Sequence, residues 1–121
     1  GDPDSVPAGR HAKQALLALK VWSALEGRMV FAADVGQVLA YVQREEVEAG
    51  IAYQTEVRDR TDVKVLDVAT SALGPEPLVV AGALGRSERL IDARAFVAFL
   101  QTRQARALLA GSGFEPAVGS R

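Results

Sequence analysis

The sequence reads as an α/β chain, with helices alternating with short apolar segments that fit a parallel or mixed sheet flanked by those helices. Apolar runs of strand length recur at 29–33, 51–53, 63–68 and 78–84. Between and after them, apolar residues return at helical spacing over 10–25, 34–50, 88–101 and 103–110. Glycines and prolines stand at the junctions. The strand count is low for a complete domain, so the expectation is an incomplete α/β fold.

Each element has a local reason. Residues 1–9 (GDPDSVPAG) are turn-rich and lead into a helix on which Ala12, Leu16 and Leu19 share a face that Val21, Trp22 and Leu25 extend. Gly27 is the expected stop. After the strand Met29–Ala33, Asp34 is placed to cap a helix, and Gln37 completes the capping-box spacing. Val35, Val38, Leu39 and Val42 then line one face, and Gly50 is the expected end. Ile51-Ala52-Tyr53 reads as a buried strand, and VKVLDV at 63–68 alternates apolar and polar. The loop SALGPEP at 71–77 marks the expected boundary, followed by the apolar strand 78–84. Phe96, Phe99, Leu100, Leu108 and Leu109 are the expected core of the last two helices, which Gly111, Gly113 and Pro116 terminate.

Composition excludes several functions. A chain of 121 residues, 49% apolar and 24% charged, is about one ordinary globular domain. Its net charge of −1 comes from scattered residues and lacks the basic surplus of a nucleic-acid binder. The absence of cysteine rules out disulfides, thiol catalysis and cysteine-based zinc sites. No apolar run approaches the roughly 18 residues of a membrane span. A start at Gly1 without a leader suggests a processed or truncated piece.

Three motifs point toward an anion. Val6-Pro7-Ala8-Gly9 opens a helix, and the first N–H groups of a helix lack internal partners at the positive end of its dipole. Small residues there let an oxyanion approach the backbone. Ala33-Asp34-Val35-Gly36 is a second strand-to-helix turn of this kind, although Asp34 as a cap consumes one or two donors. Tyr53 ends a strand, where open α/β sheets bind ligands, and its phenol donates without bringing charge. Taken singly, each motif also reads as an ordinary helix junction, capping box or packing tyrosine. Their shared place at one sheet edge is what argues for a site.

Enzyme signatures are missing: there is no GxSxG, Walker A loop or complete GxGxxG. His11 is the sole histidine and reads as a surface or packing residue on a helix. Arg44-Glu45-Glu46 with Glu48 reads as a solvated face, and Arg58-Asp59-Arg60 with Asp62 as an exposed loop.

At these motifs the chain closely resembles the molybdate-binding proteins of ABC importers, of the type II periplasmic binding-protein class. The matching stretches are GDPDSVPAGRHAKQAL at 1–16, AADVGQVLAYVQREEVEAGIAY at 32–53 and GFEP at 113–116. The resemblance implies that residues 1–73 form the second lobe of a type II binding protein. It further implies that 74–121 supply a return strand and C-terminal helices that pack on a missing first lobe. It implies molybdate contacts from the Ala8 and Val35 N–H groups and the Tyr53 hydroxyl, with no catalytic residue, no direct metal-ion ligand and no cofactor beyond the molybdate or tungstate ligand. The implied location is periplasmic, and the implied partner is the importer's membrane permease.

The chain departs from the family's usual residues at Pro77-Leu78, where Tyr-Pro is usual, and at His11, where a tyrosine is usual. Serine hydroxyls that complete the family's donor shell belong to the first lobe. With that lobe absent, the C-terminal apolar face needs a cleaved N-terminal fragment, a swapped partner chain or rearranged packing to cover it. The alternative reading is an anion-sensing effector domain of a transcription regulator, which would need a helix-turn-helix nearby. An enzyme would need a base, nucleophile or metal cluster at the sheet edge. Molybdate and tungstate are too alike for the sequence to separate.

Overall fold

The computed structural model describes residues 1–74 and 77–115, leaving aside the side chain of Ser71. Two compact units make up the chain, one spanning Gly1–Pro77 and the other beginning at Leu78, at the end of the loop 71–77. The first holds α1 (Pro7–Ala18), α2 (Trp22–Leu25), α3 (Val35–Gln43) and α4 (Gln54–Val57), with 3-10 turns at Glu26–Arg28 and Ser71–Leu73. The second holds α5 (Leu90–Leu100) and α6 (Arg103–Gly111).

Helix α1 starts at Pro7, a residue suited to a first turn because its missing N–H would have been unpaired there. The expected single helix to Leu25 is broken. Lys20 takes the left-handed conformation (φ 60°), with Lys20 N–H bonded to Leu17 O at 2.9 Å and Val21 N–H to Leu16 O at 3.0 Å. These two bonds form a Schellman cap. The break brings Trp22 under Lys13, whose ammonium lies 4.9 Å from the indole ring centre. In a straight helix the two residues would stand about 13 Å apart along the axis, so the cation–π contact requires the turn.

Helix α3 begins as its sequence predicts. Asp34 is extended, and its Oδ1 accepts from Gln37 N–H at 2.8 Å. Gln37 Oε1 accepts in return from Ala33 N–H at 2.7 Å, one residue ahead of the usual capping-box partner. Val38 and Leu39 are buried. The helix stops well before Gly50: Glu45 is left-handed (φ 57°), with Glu45 N–H on Val42 O and Glu46 N–H on Tyr41 O completing a second Schellman cap. Gly50 has a different role from the expected helix end. A Cβ there would meet Val38 Cγ1 at 2.7 Å and Val42 Cγ2 at 3.0 Å, so glycine lets the returning chain lie against α3.

The expected sheet is not formed among the described residues. Segments 29–33, 51–53, 63–68 and 78–84 contain no β-strand. A strand exists only by exchanging hydrogen bonds with a neighbour. Among the described residues a single backbone bond, Asp2 N–H to Ala32 O at 3.0 Å, joins two extended segments. One bond is not a ladder. Consequently Leu66 and Val80 are 74% and 78% exposed, although their apolar patterns belong in an interior.

In the second unit, Thr102 joins the two helices. Its Oγ1 donates to Phe99 O at 2.7 Å and accepts from Ala105 N–H at 3.2 Å, ending α5 and capping α6. Gly113 (φ 89°) closes α6 in a third Schellman cap, with Phe114 N–H bonded to Leu109 O. Pro116, expected to help end α6, lies outside the described residues. The expected core of Phe96, Phe99, Leu100, Leu108 and Leu109 is not buried: Phe96 and Leu108 are more than 60% exposed, and Leu100 is half-buried. Two helices cannot enclose an apolar interior by themselves, and Phe96 stacks on Phe99 at a 6.4 Å ring separation.

Lys20 and Glu45 each hold a conformation that costs a residue with a Cβ about 1–2 kcal/mol. Lys20→Gly and Glu45→Gly should therefore each stabilise the first unit by up to roughly 1 kcal/mol, after glycine's extra chain entropy is deducted. Urea unfolding should show the midpoint rising at unchanged slope. A fall in midpoint for both variants would contradict the cap assignment.

Candidate functional site

The N-terminus of α1 is organised by Asp2. Its N–H donates to Ala32 O, its O accepts from Val6 N–H at 2.8 Å, and its Oδ1 accepts from Asp4 N–H at 2.9 Å. This knot places the turn 2–6 beside the segment that leads into α3, around a buried Pro3 and an Ala32 only 1% exposed. Gly9 belongs to the same knot. A Cβ on it would lie 2.6 Å from the Asp2 carbonyl and closer still to Gly1 O, so glycine here serves the packing of the chain on itself. The sequence suggests that it makes room for an anion; in the structure the place a Cβ would take is filled by residues 1 and 2.

Ala8 is the second residue of α1 and is buried. Val6, the cap residue, offers no side-chain acceptor, Pro7 has no N–H, and the first helical bond is Arg10 N–H to Val6 O at 3.1 Å. The donors remaining at this end are the N–H groups of Ala8 and Gly9. Val35 is the first residue of α3 and half-buried. Asp34 satisfies the Gln37 N–H, and the first helical bond is Val38 N–H to Asp34 O at 3.3 Å. Among the described residues no bond engages the Val35 and Gly36 N–H groups. Asp34 occupies one donor and spares the one expected to matter.

Tyr53 is extended and directly precedes α4, with no hydrogen bond from its side chain among the described residues. Its ring meets His11 edge-on, with centroids 6.4 Å apart at 61°. His11 is the fifth residue of α1, one turn beyond Ala8, so α1 and the 51–53 segment meet through this ring pair. By sequence alone His11 reads as a surface or packing residue. Its spacing of three from Ala8 was visible, but its partner far along the chain was not. The structure thus links Tyr53 to α1 through His11, and links α1 to the approach to α3 through Asp2 and Ala32.

Beyond Tyr53, the loop after α4 is tied to α3. Arg60 holds Asp62 with both carboxylate oxygens engaged, at 3.0 and 2.6 Å, and Gln43 Nε2 donates to the same carboxylate. The exposed loop expected at 58–62 is therefore anchored. Hydrogen bonding from the Arg60 guanidinium holds the Asp62 carboxyl below its ordinary value of 3.8. Among the described residues, no group of three or more His, Asp or Glu side chains is gathered to hold a metal ion. No helix there is long and apolar enough to cross a membrane. What these elements offer chemically is hydrogen-bond donors without charge, which suits a small oxyanion.

Because the folded pKa of Asp62 is depressed, the Arg60 tie contributes fully above the ordinary carboxylate range and is lost as pH falls below 3.8 toward the folded value. Protection of the amides at 58–63, measured against their intrinsic exchange rates at each pH, should fall over that acidic window. Asp62→Asn should show fast exchange at neutral pH already, and equal protection in the variant would remove the anchoring role. Gly9→Ala should destabilise the first unit by several kcal/mol, an overpacking effect at the upper end of the usual range, read by thermal unfolding.

Residues 1–115 match the family described as bacterial extracellular solute-binding protein. The chain is 34% identical over 114 residues to the molybdate-binding protein ModA of Haemophilus influenzae, covering 94% of this chain and 44% of that protein. It is 31% identical over 114 residues, with the same coverage, to YvgL of Bacillus subtilis, a putative ABC transporter substrate-binding lipoprotein. Over 66 residues, 54% of this chain and 26% of the relative, it is 42% identical to the molybdate-binding protein ModA of Escherichia coli. The chain thus spans less than half the length of these relatives. With the match running from Gly1 through Glu115, the chain belongs to the bacterial extracellular solute-binding protein family.

Proposed function

We propose that this chain is part of an extracytoplasmic carrier that captures molybdate or tungstate and delivers it to the membrane permease of an ABC importer. The observation that carries the reading is the pair of helix starts at Ala8 and Val35, each with a backbone donor unused by capping, on segments joined by the Asp2–Ala32 bond. The 34% identity to a molybdate-binding protein supports the choice of anion. Residues 1–73 act as one lobe of a type II binding protein, and 74–121 return to the other lobe. In that setting the segments 29–33, 51–53 and 63–68 find strand neighbours and form the parallel or mixed sheet. A neighbouring lobe, or a swapped copy, covers the apolar residues of α5 and α6.

On this reading Ala8 N–H, Val35 N–H and the Tyr53 hydroxyl donate to the oxygens of one tetrahedral dianion. Two helix dipoles reinforce the first two contacts. Neutral donors offset the charge without a permanent cation, so the anion is held and still released to the permease. The bound oxyanion is cargo: no side chain is asked to transfer a proton or form a bond, the protein is not an enzyme, and no further cofactor takes part.

Calorimetry on the complete protein should show molybdate and tungstate binding tightly and sulfate and phosphate far more weakly. Sulfate is too small for donors spaced around molybdate, and phosphate brings a proton that a site made only of donors cannot accept. Tyr53→Phe should lose one hydrogen bond to a charged ligand, roughly 1.5–3 kcal/mol of affinity, without unfolding. Ala8→Pro should lose more, since it removes a backbone donor. Equal affinity for all four anions would overturn the molybdate reading, and a Tyr53→Phe protein that binds normally would return Tyr53 to a packing role.

A further inference from the structure

We propose that His11 is a positioning residue for anion binding, its imidazole setting the orientation of the Tyr53 phenol relative to the N-terminus of α1. This rests on the reading of Tyr53 as an oxyanion donor. A tyrosine side chain has two soft torsions, and Tyr53 makes no side-chain hydrogen bond among the described residues that would fix them. The described ring contact is His11, edge-on at 6.4 Å and 61°. Edge-to-face packing of this kind favours one ring orientation over its neighbours.

The other side of the contact is rigid. His11 sits one turn past Ala8 on α1, so the helix backbone fixes its place relative to the Ala8 N–H. The imidazole is half-buried, and its Nδ1 is fully buried without a hydrogen-bond partner. A nitrogen with no partner does not hold the ring pair together; the ring surface does. His11 therefore acts on Tyr53 through its ring face and presets the distance between two donors that come from distant parts of the chain. Such preorganisation raises affinity by removing an ordering cost at binding.

The test is a double-mutant cycle on molybdate affinity in the complete protein, with melting temperature followed alongside. His11→Leu, which keeps bulk and removes the ring, should weaken binding roughly five- to tenfold, the range of one aromatic pair. His11→Phe, which restores an aromatic edge without the nitrogens, should bind within about twofold of the parent. In the Tyr53→Phe background, His11→Leu should cost nothing further, because the hydroxyl it positions is gone. If His11→Leu misfolds, His11→Ala takes its place in the cycle. Parent-like affinity in the His11 variant, or an equal loss in both backgrounds, overturns the positioning role while leaving Tyr53 a donor. Normal binding by Tyr53→Phe alone instead removes the donor reading, and this inference with it.

Discussion

Asp2 makes three hydrogen bonds with its backbone and side chain, to Ala32, Val6 and Asp4, and the arrangement of the first unit follows from them. They fold residues 1–6 into a turn and hold it against the segment that enters α3. Pro7 can then begin α1 where it does, and Gly9 must lack a side chain because the Gly1–Asp2 backbone occupies that space. Ala32 and Ala8, both small and both buried, are what such close backbone packing admits. Larger residues at any of these places would push α1 away from α3 and separate the two helix starts.

The two helix starts differ in how they treat their free donors. Helix α3 uses a side-chain cap that engages its third N–H and leaves the first two free, whereas α1 has no side-chain cap. An uncapped start forgoes about 1 kcal/mol of stability relative to a good cap. Under the proposed role as an oxyanion carrier that cost has a purpose, because a donor satisfied by the protein is one that no ligand can use. The C-terminal ends show no such restraint: α1, α3 and α6 all close in Schellman caps that satisfy their carbonyls, two of them on residues other than glycine.

The absence of strands among the described residues has a physical source. Helices satisfy their backbone groups within themselves, so α1, α3, α5 and α6 form from local sequence. Extended segments such as 63–68 and 78–84 need neighbours in a sheet, and their apolar residues stand exposed, as do Phe96 and Leu108 on the last two helices. The chain spans 44% of the length of two relatives that match nearly all of it. The helices are the elements whose backbone bonds do not depend on a neighbouring segment.

Local chemistry was legible in the amino-acid order. Asp34 and Gln37 announced the start of α3, Gly113 the end of α6, and apolar spacing the existence of α5 and α6, since each depends on residues within about one turn of one another. The sequence marked the three candidate donors by two helix-start motifs around Ala8 and Val35 and a segment end at Tyr53, and the family resemblance singled out the contacts. The sequence did not announce the breaks at Lys20 and Glu45, where long side chains take a conformation that glycine usually fills. Nor did it reveal that Gly9 and Gly50 make way for other segments of chain, that Gln43 and Arg60 grip Asp62, or that His11 meets Tyr53. The contacts of Gln43 with Asp62 and of His11 with Tyr53 depend on residues distant in sequence coming together, and only the packing of one segment on another decides which pairs meet. The strands show the same division: their apolar pattern is written in the sequence, but a ladder is a property of two segments, and pattern alone names only one.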